Sequence, residues 1–258
     1  TEEDKQALAE CYDRFASRTH GMMRKTEREL RQLFSKPEHR IAGYVKNGQI
    51  GGYLVYAWEH GENFILNDMH IKEFIYETHE ALSELSTYLH TQADQVRHIL
   101  VDTQDEDFHY LLLDPRNNSD RLIPAVYHES NAQGLGLMYR VVDVPGIFDR
   151  LGERDLSRAW PGAQSCTLKL TVDDSFLPEN AGNTLLRFEE GHVQRLDDGA
   201  HDVEINLDIA EFSSLLAGTV RFQSLHRYGL AGISDASYVE TVDRIFAVAQ
   251  KPMCTTSF

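Results

Sequence analysis

Long apolar runs, cysteine and positive charge are all scarce in these 258 residues. No apolar stretch approaches the roughly 18 residues of a membrane-spanning helix. The opening Thr1-Glu2-Glu3-Asp4-Lys5 lacks both the basic start and the apolar stretch of a signal peptide. It also lacks an initiator Met, so the sequence reads as a piece of something longer. Cysteine is limited to Cys11, Cys166 and Cys254. An odd, widely spaced set makes neither a disulfide framework nor a metal knuckle, and suits a reducing cytoplasm. Only 25 Lys and Arg stand against 41 Asp and Glu, for a net charge of −16. Such a surface repels phosphate backbones and anionic lipid, which argues against a nucleic-acid partner, and it attracts cations. With 17 Gly, 7 Pro and 41% apolar residues, the disordered and fibrous classes drop out. The length suits two ordinary domains.

The apolar pattern gives an element order. Leu8, Cys11, Tyr12 and Phe15 fall at helical spacing, and Thr26-x-x-Glu29 is a capping box leading into Leu30, Leu33 and Phe34. Strands over 40–46 and 49–58 flank Asn47-Gly48, the dipeptide of a tight hairpin. A third strand is expected over 63–74 and an amphipathic helix over about 77–94. Further strands are expected at Ile99–Val101, Leu111–Leu113 and Leu135–Val144. This stretch reads as α+β, a mostly antiparallel sheet under one long covering helix. Pro145-Gly146 marks a boundary, giving domains 1–146 and 147–258. In the second, a short helix precedes strands at Cys166–Val172, Thr184–Glu189, His192–Leu196 and Val203–Leu207. Two helices close the chain: one capped by Asp208 with Glu211, one opening near Ser234.

Few residues offer chemistry. The 12 histidines show no metal-ligand spacing: His79-Glu80 lacks a second His one turn on, so no metal site is expected. Gly134-Leu135-Gly136 has neither the third glycine nor the ensuing helix of a nucleotide loop. The ending Lys251-Pro-Met-Cys-Thr-Thr-Ser-Phe258 is apolar and bulky where ordinary tails are polar and frayed. It reads as a tail that docks, with packing alone a sufficient reason for docking.

Five segments taken in order resemble the Eis-like (enhanced intracellular survival) acetyltransferases of the GNAT superfamily: His20-Gly-Met-Met-Arg24, Asp114-Pro-Arg116, Arg140-Val-Val-Asp-Val144, Asp173-Asp-Ser-Phe-Leu-Pro-Glu-Asn-Ala-Gly182 and the ending Lys251–Phe258. The resemblance implies a degenerate GNAT-like mixed sheet with covering helices, followed by a sterol-carrier-protein-like α+β domain. It places acetyl-CoA in an N-terminal domain absent from this chain, which leaves the isolated chain inactive. It assigns the general base to the C-terminal carboxylate, here Phe258, and a substrate contact to the residue before it, here Ser257. Many relatives that act on aminoglycosides carry an acidic residue at that place, so the acceptor stays open among aminoglycosides, polyamines and peptide or protein lysine. A homo-oligomer, commonly a hexamer, is implied as well. The competing reading is a binding module whose last domain shelters an apolar ligand or lipid; a third is a structural scaffold.

Overall fold

The computed structural model describes residues 2–60, 67–117, 119, 121–124, 126–134, 137–153 and 164–256. The elements in chain order are α1 (Glu2–Ala16), α2 (Glu27–Ser35), β1 (His39–Lys46), β2 (Gln49–His60), β3 (Asn67–Tyr76), α3 (His79–His90), β4 (Val96–Val101), β5 (Leu122–Ile123), β6 (Tyr127–His128), α4 (Val144–Glu153), β7 (Cys166–Asp173), β8 (Gly182–Glu189), β9 (His192–Leu196), β10 (Val203–Asp208), α5 (Ile209–Leu216), α6 (Phe222–Arg227), β11 (Ala231–Ile233) and α7 (Val239–Ile245). They form two compact α+β units. One is 1–133 together with 253–258; the other is 134–252.

The first unit is built on a four-stranded mixed sheet in the order β1-β2-β3-β4, in which β3 and β4 run parallel and the other pairs antiparallel. Asn47 and Gly48 take positive φ values of 52° and 79° between β1 and β2, as a tight hairpin requires. The capping box forms as expected: Thr26 accepts from the Glu29 N–H, and the Glu29 carboxylate accepts from the Thr26 N–H. Helices cover both faces rather than one. Leu8, Cys11 and Tyr12 of α1 and Phe34 of α2 pack on Tyr53, Val55 and Ile75. Leu85 of α3 packs on Leu54, Tyr56, Met69 and Ile71. Gly52 lets α3 approach, since a Cβ there would meet the Ile75 carbonyl at 2.9 Å and the Ala81 Cβ at 3.2 Å.

One irregularity in β3 sets the direction in which Glu73 points. Val55 pairs with Glu73 but Tyr56 pairs with Ile71, so Lys72 is an extra residue in the strand. Such a bulge exchanges the faces on its two sides. Met69 and Ile71 therefore face α3, while Glu73 turns with Ile75 toward α1.

The second unit holds a five-stranded sheet, β11-β10-β7-β8-β9, in which β10 and β7 are parallel. The alternating burial of β7 sends Leu168, Leu170 and Val172 inward. They meet Val144 and Phe148 of α4, Ile209, Phe212 and Leu215 of α5, Phe222 of α6, and Val242 and Ile245 of α7.

Several expectations change. Leu111–Leu113 is not a strand; Phe108–Leu111 is a 3-10 turn and the leucines are exposed. Residues 137–143 are likewise not strand, and α4 begins at Val144. Pro145 does not interrupt there. The Asp143 carboxylate accepts from the Gly146 N–H at 2.8 Å, and Pro is compatible with a first helical turn. The boundary expected after Gly146 thus falls inside α4. Asp208 does cap α5, but it accepts from Ala210 N–H rather than Glu211. Neither α6 nor β11, both short, shows in the sequence pattern. Residues 63–66 of the expected third strand and the 159–162 loop lie outside the described residues.

A polar tie fastens the start of the second unit to its sheet. Arg140 donates to both oxygens of Asp174, at 2.7 and 2.8 Å. Asp174 also accepts from the Phe176 and Leu177 N–H groups and from Asn180 Nδ2, and Asn180 Oδ1 accepts from the Val144 N–H. Burial alone would raise the Asp174 carboxyl; these donors outweigh it and hold the pKa at about 2. A depressed folded-state value contributes stability that is present above the ordinary carboxylate range and lost as pH falls toward 2. We expect Asp174→Asn to lower Tm at pH 7 by about 5 °C or more, and to make Tm fall less steeply between about pH 4 and pH 2. Thermal melts across that range check it; parallel acid limbs in the two proteins would contradict it.

Candidate functional site at the C-terminal tail

The residues assigned a role by resemblance, Ser257 and Phe258, lie outside the described residues. The tail leading to them is described as far as Thr256, and it docks on the first unit. Met253 N–H donates to the His20 carbonyl at 2.8 Å. Cys254 N–H donates to Gln104 Oε1 at 2.7 Å, and Gln104 Nε2 donates back to the Cys254 carbonyl at 2.9 Å. The Gln104 amide thus pairs with the tail as a neighbouring strand would.

Next to this pairing lies a buried ion pair. Lys25 Nζ is 2.5 Å from Glu73 Oε1, and the two side chains are 6% and 1% exposed. Tyr53 OH donates to Glu73 Oε2 at 2.7 Å. Lys25 Nζ stands 4.2 Å from the centre of the Tyr12 ring, a cation–π contact. Thr255, although exposed as a residue, sends its hydroxyl into the pair. It accepts from Lys25 Nζ at 2.8 Å and donates to Glu73 Oε1 at 3.1 Å. Burial, then the Glu73 charge, pushes the Tyr53 phenol well above its ordinary value. Burial also raises Tyr12, against the opposing Lys25 charge. Both phenols therefore stay protonated at neutral pH and act as donors, not bases.

The pairing of β3 with β4 ends at Ile71 and Val101. Past that point Lys72, Glu73 and Phe74 face Gln104, Asp105 and Cys254 around a cavity of about 230 Å³. In a β–α–β crossover of this kind, a pyrophosphate would sit at the N-terminus of the crossover helix, on free N–H groups. At the start of α3 stand Glu77 and Glu80, and Thr78 Oγ1 already accepts from the Ala81 N–H at 3.2 Å. Glu77 is itself held by Arg14 at 2.8 Å and by Arg18. The residues present do not fit an acyl-CoA pyrophosphate. Gly134 is exposed and ends no strand; Leu135 and Gly136 lie outside the described residues. Among the described residues, no group of three His, Cys, Asp or Glu is placed to hold a metal, and no helix is long and apolar enough to cross a membrane.

Lys25, Glu73 and Tyr53 escaped the sequence reading. A signal existed for one of them: apolar alternation at Met69 and Ile71 resumes out of phase at Phe74 and Tyr76, which marks the bulge that turns Glu73 inward.

Comparison with known proteins gives two partial matches to family models. Residues 17–142 match the model of an acetyltransferase (GNAT) domain, and residues 156–255 match that of a sterol carrier protein domain. The chain is thus similar to a GNAT acetyltransferase domain over its first part and to a sterol carrier protein domain over its second. Solved structures share its fold. A conserved protein of unknown function from Enterococcus faecalis V583 gives a TM-score of 0.73 at 18% identity, over 98% of this chain and 59% of that one. A GCN5-related N-acetyltransferase from Anabaena variabilis gives 0.70 at 18%, over 97% and 59%. Eis1 from Mycobacterium abscessus gives 0.69 at 19%, over 98% and 60%. The chain therefore spans about three fifths of the length of these relatives and shares their fold over that span. A search of curated proteins gives no match.

The acidic start of α3 generates a direct expectation. Calorimetry should detect no acetyl-CoA binding to this chain at micromolar concentrations, and a micromolar Kd would make the first unit a working cofactor site.

Proposed function

We propose that this chain is the C-terminal part of an acyl-CoA-dependent N-acetyltransferase for primary amines, and that the free carboxylate of Phe258 is its general base. In this reading the acyl donor is held by a part of the polypeptide outside this chain, in keeping with the longer relatives. The observation that carries it is the docked tail. Three hydrogen bonds to the backbone of Met253 and Cys254, together with the seating of Thr255, tie down a segment that would otherwise fray.

An amine reaches the enzyme as an ammonium ion, and its nitrogen becomes a nucleophile only when a base within hydrogen-bond reach takes a proton. An α-carboxylate with its ordinary pKa of about 3.3–3.7 is a weak base at neutral pH, and an apolar setting raises it toward a useful value. The aromatic side chain of Phe258 belongs to the same residue and supplies apolar surface. The net charge of −16 favours a cationic acceptor.

The competing lipid-carrier reading gains no support from the second unit. Its described interior is filled by Phe148, Phe212, Phe222, Leu168 and Leu170, all fully buried. A cavity of about 390 Å³ among its described residues is lined by Lys169, Arg195, Asp197 and Asp198 as well as by Pro145, Leu185 and Leu196.

In the longer polypeptide that carries this chain, a few residues appended after Phe258 should lower kcat by about 10²–10⁴-fold and leave acetyl-CoA affinity nearly unchanged. Amidation of Phe258 should act in the same direction. Full turnover with a C-terminal extension would remove Phe258 as the base.

A further inference from the structure

We infer that Lys25 and Glu73 are positioning residues: together they form a socket for the Thr255 hydroxyl that fixes the seat of the C-terminal tail. The inference rests on the assignment of Phe258 as base, because what the socket positions is the segment that ends in that carboxylate.

A buried ion pair is a poor way to gain stability, since apolar residues of similar volume serve as well or better. Its value lies in what it can specify. Lys25 carries three donors. One meets Glu73, another meets Thr255, and the ring of Tyr12 lies against the ammonium. Glu73 accepts from Lys25, Tyr53 and Thr255. A side chain inserted here from the tail must therefore both accept a proton from Lys25 and donate one to Glu73. A hydroxyl does both; an apolar side chain does neither, and an acid or a base does only one.

The other tail contacts work differently. The bonds at Met253 and Cys254 engage backbone groups, so by themselves they do not distinguish one side chain from another; Pro252 blocks a slip in one direction only, since it has no N–H to offer His20. The Thr255 hydroxyl is the one of these hydrogen-bonding contacts that a tail side chain makes, and so it selects the residue seated there. The terminal carboxylate lies three residues further along the chain. Removing the hydroxyl leaves Lys25, Glu73 and Tyr53 still bonded to one another. The tail can then leave its seat without the unit unfolding.

Cys254 reports on this directly. It is 6% exposed in the docked tail, next to Thr255, so its alkylation requires the tail to lift. Cys11 and Cys166 serve as internal controls, both buried and with thiols raised to about 12 and about 11, chiefly by burial. With iodoacetamide and a mass-spectrometric readout on this chain, Thr255→Val should raise the rate of labelling at Cys254 about tenfold or more, while Thr255→Ser stays within about twofold of the parent. Lys25→Met should match or exceed the valine variant. Labelling of Cys11 and Cys166 should not move in either threonine variant. An unchanged Cys254 rate in Thr255→Val, or an equal rise at all three cysteines, overturns the socket. In the longer polypeptide, Thr255→Val should lower kcat and leave KM for the acyl donor unchanged, and Thr255→Ser should restore it. A loosened Cys254 with unaltered kcat would leave the socket standing and remove Phe258 as the base.

Discussion

The carboxylate of Glu73 is the point on which the first unit turns. It sits with 1% of its side chain exposed in the middle of a sheet face otherwise lined by Tyr53, Val55 and Ile75. A charge so placed must be matched on every side. Lys25, Tyr53 and Thr255 supply the match, from the segment before α2, from β2 and from the tail. The single extra residue at Lys72 puts it there; without the bulge, Glu73 would point toward α3, among Leu54, Tyr56 and Leu85.

How much of this can be read from the sequence depends on the range of each interaction. The Asn47-Gly48 hairpin and the Thr26–Glu29 cap are local, and both are as the pattern predicts. The strands of the second unit follow from simple alternation, with one face buried and the other polar. Leu111–Leu113 and residues 137–143 mislead because an apolar triplet or alternation becomes a strand only when another strand pairs with it. Pro145-Gly146 misleads because the same residues that end one element can open a helix when Asp143 precedes them. The ion pair itself was out of reach: Lys25 and Glu73 are 48 residues apart, and nothing in either neighbourhood names the other. The apolar ending of the chain did announce a tail that docks, though not what it docks into.

The two units treat polar groups in their interiors in parallel ways. In the second, Asp174 and Asn180 are buried and fully engaged by backbone N–H groups, Arg140 and one another. In the first, Glu73 plays the same part. Each unit thus has a buried carboxylate that draws a distant segment onto a sheet: Arg140 in one, the tail in the other. Hydrophobic contact could hold those segments as firmly, but it would not choose which residue sits where.

The tail also sets a timetable for synthesis. Thr255 and Lys25 are separated by 230 residues, whereas most of the first unit is made from its first 133. Domains fold as they emerge from the ribosome, N-terminal parts first. The sheet of the first unit can therefore assemble long before its last partner exists, and the socket between Lys25 and Glu73 stays open while the entire second unit is translated. Only a chain carried as far as Thr255 can close it. A product that stops before Thr255 keeps the sheet but leaves that pair uncovered, so the first unit bears a mark of whether synthesis reached the tail.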